Sequence, residues 1–205
     1  MKTIKKILNI SFTILFLSII SCSNEEQEMV VLDPLKSEQV TNFVAPQTGG
    51  MGQPIGGEFS KFDFATGEKS TSETEWDIAF RGSTICINGG TSTGTADEPV
   101  RNGNAGAVVV SGTFDSVTTV QGLTFSQDAE GSFAIPTGSD NGWYNYNPQT
   151  FTITPVPGKV LVFRTRDGRY AKVEILSYYL DQDSSNTRGG RYYTFNYVFN
   201  PNQGE

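Results

Sequence analysis

The chain of 205 residues carries 15 lysines and arginines against 22 aspartates and glutamates, a formal charge of −7, and it contains no histidine. That acidic balance argues against a nucleic-acid partner and against adhesion to anionic lipid by charge alone. Without histidine, imidazole catalysis is excluded and the commonest metal ligand is missing.

At the start, Lys2, Lys5 and Lys6 precede an apolar run over residues 7–20 that ends at Ser21-Cys22. A basic n-region, an apolar h-region and a small residue at the cleavage point make a secretory signal. The run falls short of the roughly 20 apolar residues that a spanning helix needs. With cysteine after the small residue, the segment resembles a bacterial lipoprotein signal, so residues 1–21 are expected to be removed and Cys22 lipidated. Its acyl chains would then anchor the protein, at about 0.8 kcal/mol per buried CH₂. The acidic stretch Glu25, Glu26 and Glu28 resembles the short signals that send lipoproteins to the cell surface in Bacteroidetes. Residues 22–45 are expected to be the lipidated N-terminus and a flexible tether, which places the protein on the outer membrane at the cell surface.

One β domain is expected over residues 46–205, a length that can bury a sizeable core. It opens with "QTGGMGQPIGG", a flexible loop that holds Met51. "GEFSKFDFATGEK" then alternates Phe59, Lys61 and Asp63 against Ser60, Phe62 and Phe64. In "WDIAFRGSTICINGGTSTGT", Trp76, Ile78 and Phe80 are expected on one side of a strand, and Ile85 and Ile87 fall in a second run. Asn88-Gly89-Gly90 breaks that run, as turn-forming residues do. Cys86 reads as a small buried filler, and with Cys22 lipidated it has no disulfide partner.

The remaining strands are "AGAVVVSG", "FTITPVPGKVLVFRT", "GRYAKVEILSYYL" and "RYYTFNYVFN", with Asp167-Gly168 as a hairpin turn. No segment shows a long helical period with caps, so the expected fold is all-β, antiparallel, with little helix. Arg164 and Arg166 flank that turn, are expected on the same side of the strand, and are placed to pair with an anion. Asp181 to Asn186 has oxygen ligands at alternate positions but lacks the glycine and the closing glutamate of a calcium loop, so it reads as a solvated turn. Glu75 and Asp77 are the paired carboxylates an enzyme would need, but two acids on one strand are commonplace, and no enzyme is expected.

In order and spacing, "FSKFDFATGEK", "WDIAFRG", "INGGTSTGT", "GNAGAVV", "VFRTRDGRYAKVEILSYY" and "YYTFNYVF" resemble HmuY, the haem-binding lipoprotein family of Bacteroidetes. The resemblance implies a curved all-β fold, haem capture at the cell surface for iron acquisition, and delivery to an outer-membrane TonB-dependent transporter. The best-known members hold haem iron between two histidines, and here the corresponding stretches offer Asn147-Pro148 and Gln127-Asp128 instead. Any haem ligation must therefore be non-histidine. Tyrosine can ligate ferric haem, which makes Tyr144 and Tyr146 candidates, with Trp143 as a stacking partner and Met51 as a thioether. Arg164 and Arg166 are the candidates for the haem propionates. The alternative is a non-enzymatic surface binding module that keeps the scaffold and has lost haem.

Overall fold

The computed structural model describes residues 31–50 and 52–203. The expectations for the signal peptide, Cys22, its acidic neighbours and Met51 lie outside the described residues. The strands in chain order are β1 Lys36–Val44, β2 Thr48–Gly50, β3 Gln53–Gly56, β4 Ser60–Asp63, β5 Glu68–Ser70, β6 Ile78–Arg81 and β7 Thr84–Ile87. They continue with β8 Gly106–Ser111, β9 Tyr144–Asn147, β10 Thr152–Pro155, β11 Lys159–Arg164, β12 Tyr170–Tyr179 and β13 Gly190–Asn200. Helix among the described residues is limited to short 3-10 turns, at Phe114–Ser116, Leu180–Gln182 and Thr187–Gly189. The fold is all-β, as its sequence implies.

A five-stranded sheet has the order β1-β13-β12-β11-β8 and a four-stranded sheet the order β5-β4-β6-β7. Two small ribbons, β2 with β3 and β9 with β10, complete the set. The pairings between these strands are antiparallel. The tether expected to reach residue 45 is shorter, because Lys36–Val44 is an edge strand with Lys36 opposite Phe199 and Val44 opposite Tyr192. The loop expected around Met51 likewise contains the β2–β3 ribbon.

Alternation explains the core. Ala171, Val173 and Ile175 of β12 and Tyr193, Phe195 and Tyr197 of β13 are buried on one face, as period-two side-chain direction requires. They meet Phe62, Ile78 and Phe80 of the smaller sheet, and Phe64 just past β4, in one cluster. Phe62 lies 5.4 to 5.6 Å from the rings of Phe43, Phe64, Phe195 and Tyr197, mostly edge to face, the geometry that ring quadrupoles favour. The other face of β6 and β7 builds a second cluster from Phe59, Trp76, Ala79 and Cys86. Trp76 is fully buried there, so it does not share a side with Ile78 and Phe80 as the alternation predicted.

The Gly, Ser and Thr loop after β7 is stapled to the domain. Asn88 is buried, donates to the carbonyls of Thr74 and Trp76, and accepts from the amides of Asn102 and Gly103. A Cβ on Gly89 would lie 2.0 Å from the Ala105 carbonyl oxygen, so no other residue fits that contact. Further on, Glu98 accepts from the amides of Thr93 and Thr95 and from the Thr93 hydroxyl, and pairs with Arg101. Arg101 in turn pairs with buried Asp128 at 2.9 Å.

Candidate functional site

The structure separates the residues that the sequence brings together. Trp143 is buried, donates its indole N–H to the Ser83 carbonyl at 3.0 Å, and lies 4.9 Å from the Tyr144 ring and 5.1 Å from that of Tyr193. It is a core residue and offers no face to a macrocycle. Tyr144 is also buried, and its hydroxyl accepts from the Ser83 hydroxyl and the Gly138 amide. Together the two rings dock the start of the β9–β10 hairpin on the core, which is why neither is open as a ligand. Tyr146 lies opposite Ile153 in the ribbon and is 43% exposed.

Arg164 closes β11 and donates to the backbone and side-chain oxygens of Asn104. Arg166 lies past the strand, in the turn, and bridges Asp63 at 3.1 Å and Asp77 at 3.2 Å. Burial pushes the Asp77 carboxyl up, against the pull of the Arg166 amide and guanidinium. With two carboxylates already on it, Arg166 is a half-buried structural cation and not a propionate site. Gln127 donates to Asn104, and Asp128 accepts from the amides of Ile87 and Ala134. These groups sit at the Arg164 end of β11, whereas Trp143 and Lys159, at the start of that strand, line one small pocket. About 17 Å of strand, at about 3.3 Å per residue, separates those ends.

A different constellation does converge. Between the β9–β10 hairpin and the corner where β12 passes to β13 is a cleft of about 400 Å³, lined by Phe151, Ile153, Tyr178, Tyr179, Arg188 and Arg191 among others. That volume is in the range of small-molecule sites, about 300 to 1,000 Å³. The Ile153 amide donates to the Tyr179 hydroxyl at 2.8 Å and ties the hairpin to β12. Burial pushes the Tyr178 phenol up to about 12, against the pull of the Arg191 guanidinium beside it. Arg191 donates to the Gln47 carbonyl at 2.7 Å, and Arg188 is exposed with no hydrogen bond or ion pair to another described residue.

Two backbone outliers mark the same cleft. Phe151 has φ +58° and is 69% exposed, and Arg191 has φ +75°. A bulky residue in the left-handed region is a genuine outlier that costs on the order of 1 to 3 kcal/mol, and such strain gathers at ligand sites. The cleft thus offers an aromatic wall and two guanidinium groups, which suits a flat, largely apolar molecule with anionic substituents. Its described side chains include no nitrogen or sulfur ligand for a metal, and no cluster of metal-binding residues occurs among the described residues.

A second groove, of about 330 Å³, lies on the outer face of the five-stranded sheet against Val117 and Val120, with Val162, Lys172 and Val198 in its lining. The Lys172 ammonium already donates to the carbonyls of Phe114 and Val117. That groove carries no arginine, and the aromatic cleft is the better candidate for an anionic ligand. The pair Arg188 and Arg191 was visible in the sequence as "TRGGR", between a polar turn and a tyrosine-rich strand.

Among solved structures, the chain is similar to the apo HmuY analog of Tannerella forsythia, at 14% identity and a TM-score of 0.53, over 83% of this chain and 99% of that one. It is also similar to a Bacteroides vulgatus protein described as HmuY-like and heme-binding, at 15% identity and a TM-score of 0.45, over 80% and 90% of the two chains. A Bacteroides fragilis protein described as a lipoprotein matches at 16% identity and a TM-score of 0.44, over 82% and 90%. None of the curated protein sequences matches. A sequence model described as HmuY protein matches residues 57–197, from just before β4 into β13, so the four-stranded sheet and every strand of the five-stranded sheet except β1 fall wholly or largely within it, and the chain belongs to the HmuY family.

Proposed function

We propose that the protein is a surface-anchored, non-enzymatic binding protein that captures haem or a related tetrapyrrole in the aromatic cleft and passes it to an outer-membrane TonB-dependent transporter. The observation that carries this reading is the placement of Arg188 and Arg191 beside Phe151, Tyr178 and Tyr179 in one cleft. A macrocycle would stack on the aromatic wall, and its carboxylates would meet the guanidinium groups. Family membership supports the ligand class, since resemblance to HmuY implies haem capture. The ring and the carboxylates fit the residues present. Neither histidine nor the Cys86 thiol supplies an axial ligand to iron, because the chain has no histidine and that thiol is fully buried, with burial pushing its pKa up.

Titration of the purified protein with haemin, followed by absorbance, tests this. Arg188→Glu is expected to weaken binding by about tenfold or more, while Arg164→Glu leaves it unchanged. Absence of any spectral change at micromolar haemin would leave only the scaffold that has lost haem.

A further inference from the structure

The tyrosines near the cleft are engaged. Tyr144 accepts two hydrogen bonds, Tyr179 accepts from Ile153, and Tyr193 donates to the Gly82 carbonyl. Tyr178 and Tyr193 are buried, and burial holds both phenols protonated well past neutrality. Tyr146 is the open phenol of the hairpin, and its hydroxyl makes no hydrogen bond to another described residue. Among the described residues of the cleft, the groups that remain able to hold a ligand are the aromatic faces and the two arginines. Stacking and carboxylate pairing act on the organic part of a tetrapyrrole, whereas a coordinate bond would act on its metal alone.

We infer that the cleft selects a dicarboxylate tetrapyrrole by its ring and its carboxylates and is indifferent to the metal at its centre, which rests on the haem-type reading above. Metal-free porphyrin is then as good a ligand as haem. The two arginines, not an iron ligand, set the affinity.

The experiment titrates the full chain separately with ferric protoporphyrin IX, its zinc(II) form, metal-free protoporphyrin IX and the metal-free dimethyl ester, using absorbance and porphyrin emission. The expected result is three dissociation constants for the free acids within about threefold of one another, and an ester weaker by about tenfold or more. Tyr146→Phe is expected to change none of them, and Arg188→Gln to bring the acids toward the ester. Ferric protoporphyrin binding more than about tenfold tighter than the metal-free acid, or a ferric spectrum altered by Tyr146→Phe, would overturn metal indifference and leave haem binding standing. Binding of none of the four would overturn both.

Discussion

Trp76 shows how far a single residue can be read from its neighbours. Its burial follows from an apolar alternation with Ile78 and Phe80, but its side does not, because β6 begins only at Ile78. At Asp77 the backbone amide donates to the Phe62 carbonyl, and the carboxylate accepts from the amides of Phe64 and Arg166. Those bonds turn the chain, and Trp76 packs with Phe59, Ala79 and Cys86. Trp76→Ala is expected to destabilise the protein by about 3 to 5 kcal/mol, as large-to-small changes in a packed core do. Urea denaturation checks this, and a loss below about 1 kcal/mol would place the indole outside the core. Trp143 teaches the same lesson. An aromatic residue in a β protein reads alike whether it fills the core or lines a cleft, and only the partner brought across the fold, here Tyr193, decides.

Among the elements, the strands with apolar alternation were legible and the polar ones were not. β12 alternates cleanly, whereas β1, "KSEQVTNFV", buries only Phe43 and is held by its ladder to β13, so nothing in its side chains announces a strand. Asp167-Gly168 does mark the β11–β12 hairpin, although the turn spans residues 165–169 between the last paired residues, Arg164 and Tyr170. The loop stapled by Glu98 gives a pH-dependent prediction. Burial acts to raise the Glu98 carboxyl, but hydrogen bonds from Thr93 and the charge of Arg101 outweigh it and hold the group below its ordinary value of 4.5. Its contribution to stability is therefore present above that value and lost as pH falls through the lower value of the folded state. Asp77 runs the other way. Its raised carboxyl favours the fold below the ordinary 3.8, and that contribution is lost as pH rises through the folded value. Glu98→Gln is expected to lower the urea midpoint at neutral pH and to approach the native protein on acidification. Parallel curves for the two proteins would show that Glu98 does not staple the loop by charge.

For the molecule as a whole, the acidic balance and the lipoprotein-like start are expected to leave anchoring to Cys22 alone. Cys22→Ser should move the protein from the membrane to the soluble fraction with its β signature in circular dichroism unchanged, and a variant that still sediments with membranes would refute the lipid anchor. The fold class and the family were legible because strand patterns and their order survive in the sequence. The cleft was not, because Phe151 and Arg188 are far apart in the chain and meet only when β10 packs on β12. The position of β13 in the five-stranded sheet has a consequence in time. Because it lies between β1 and β12, β1 has no neighbour until Gly190–Asn200 exists, while the β11–β12 hairpin forms from adjacent residues. Pairing across so long a separation is slow. A nascent chain stopped before Gly190 would carry a bare ladder on β12 and an orphaned β1, both open to adhesion with other chains.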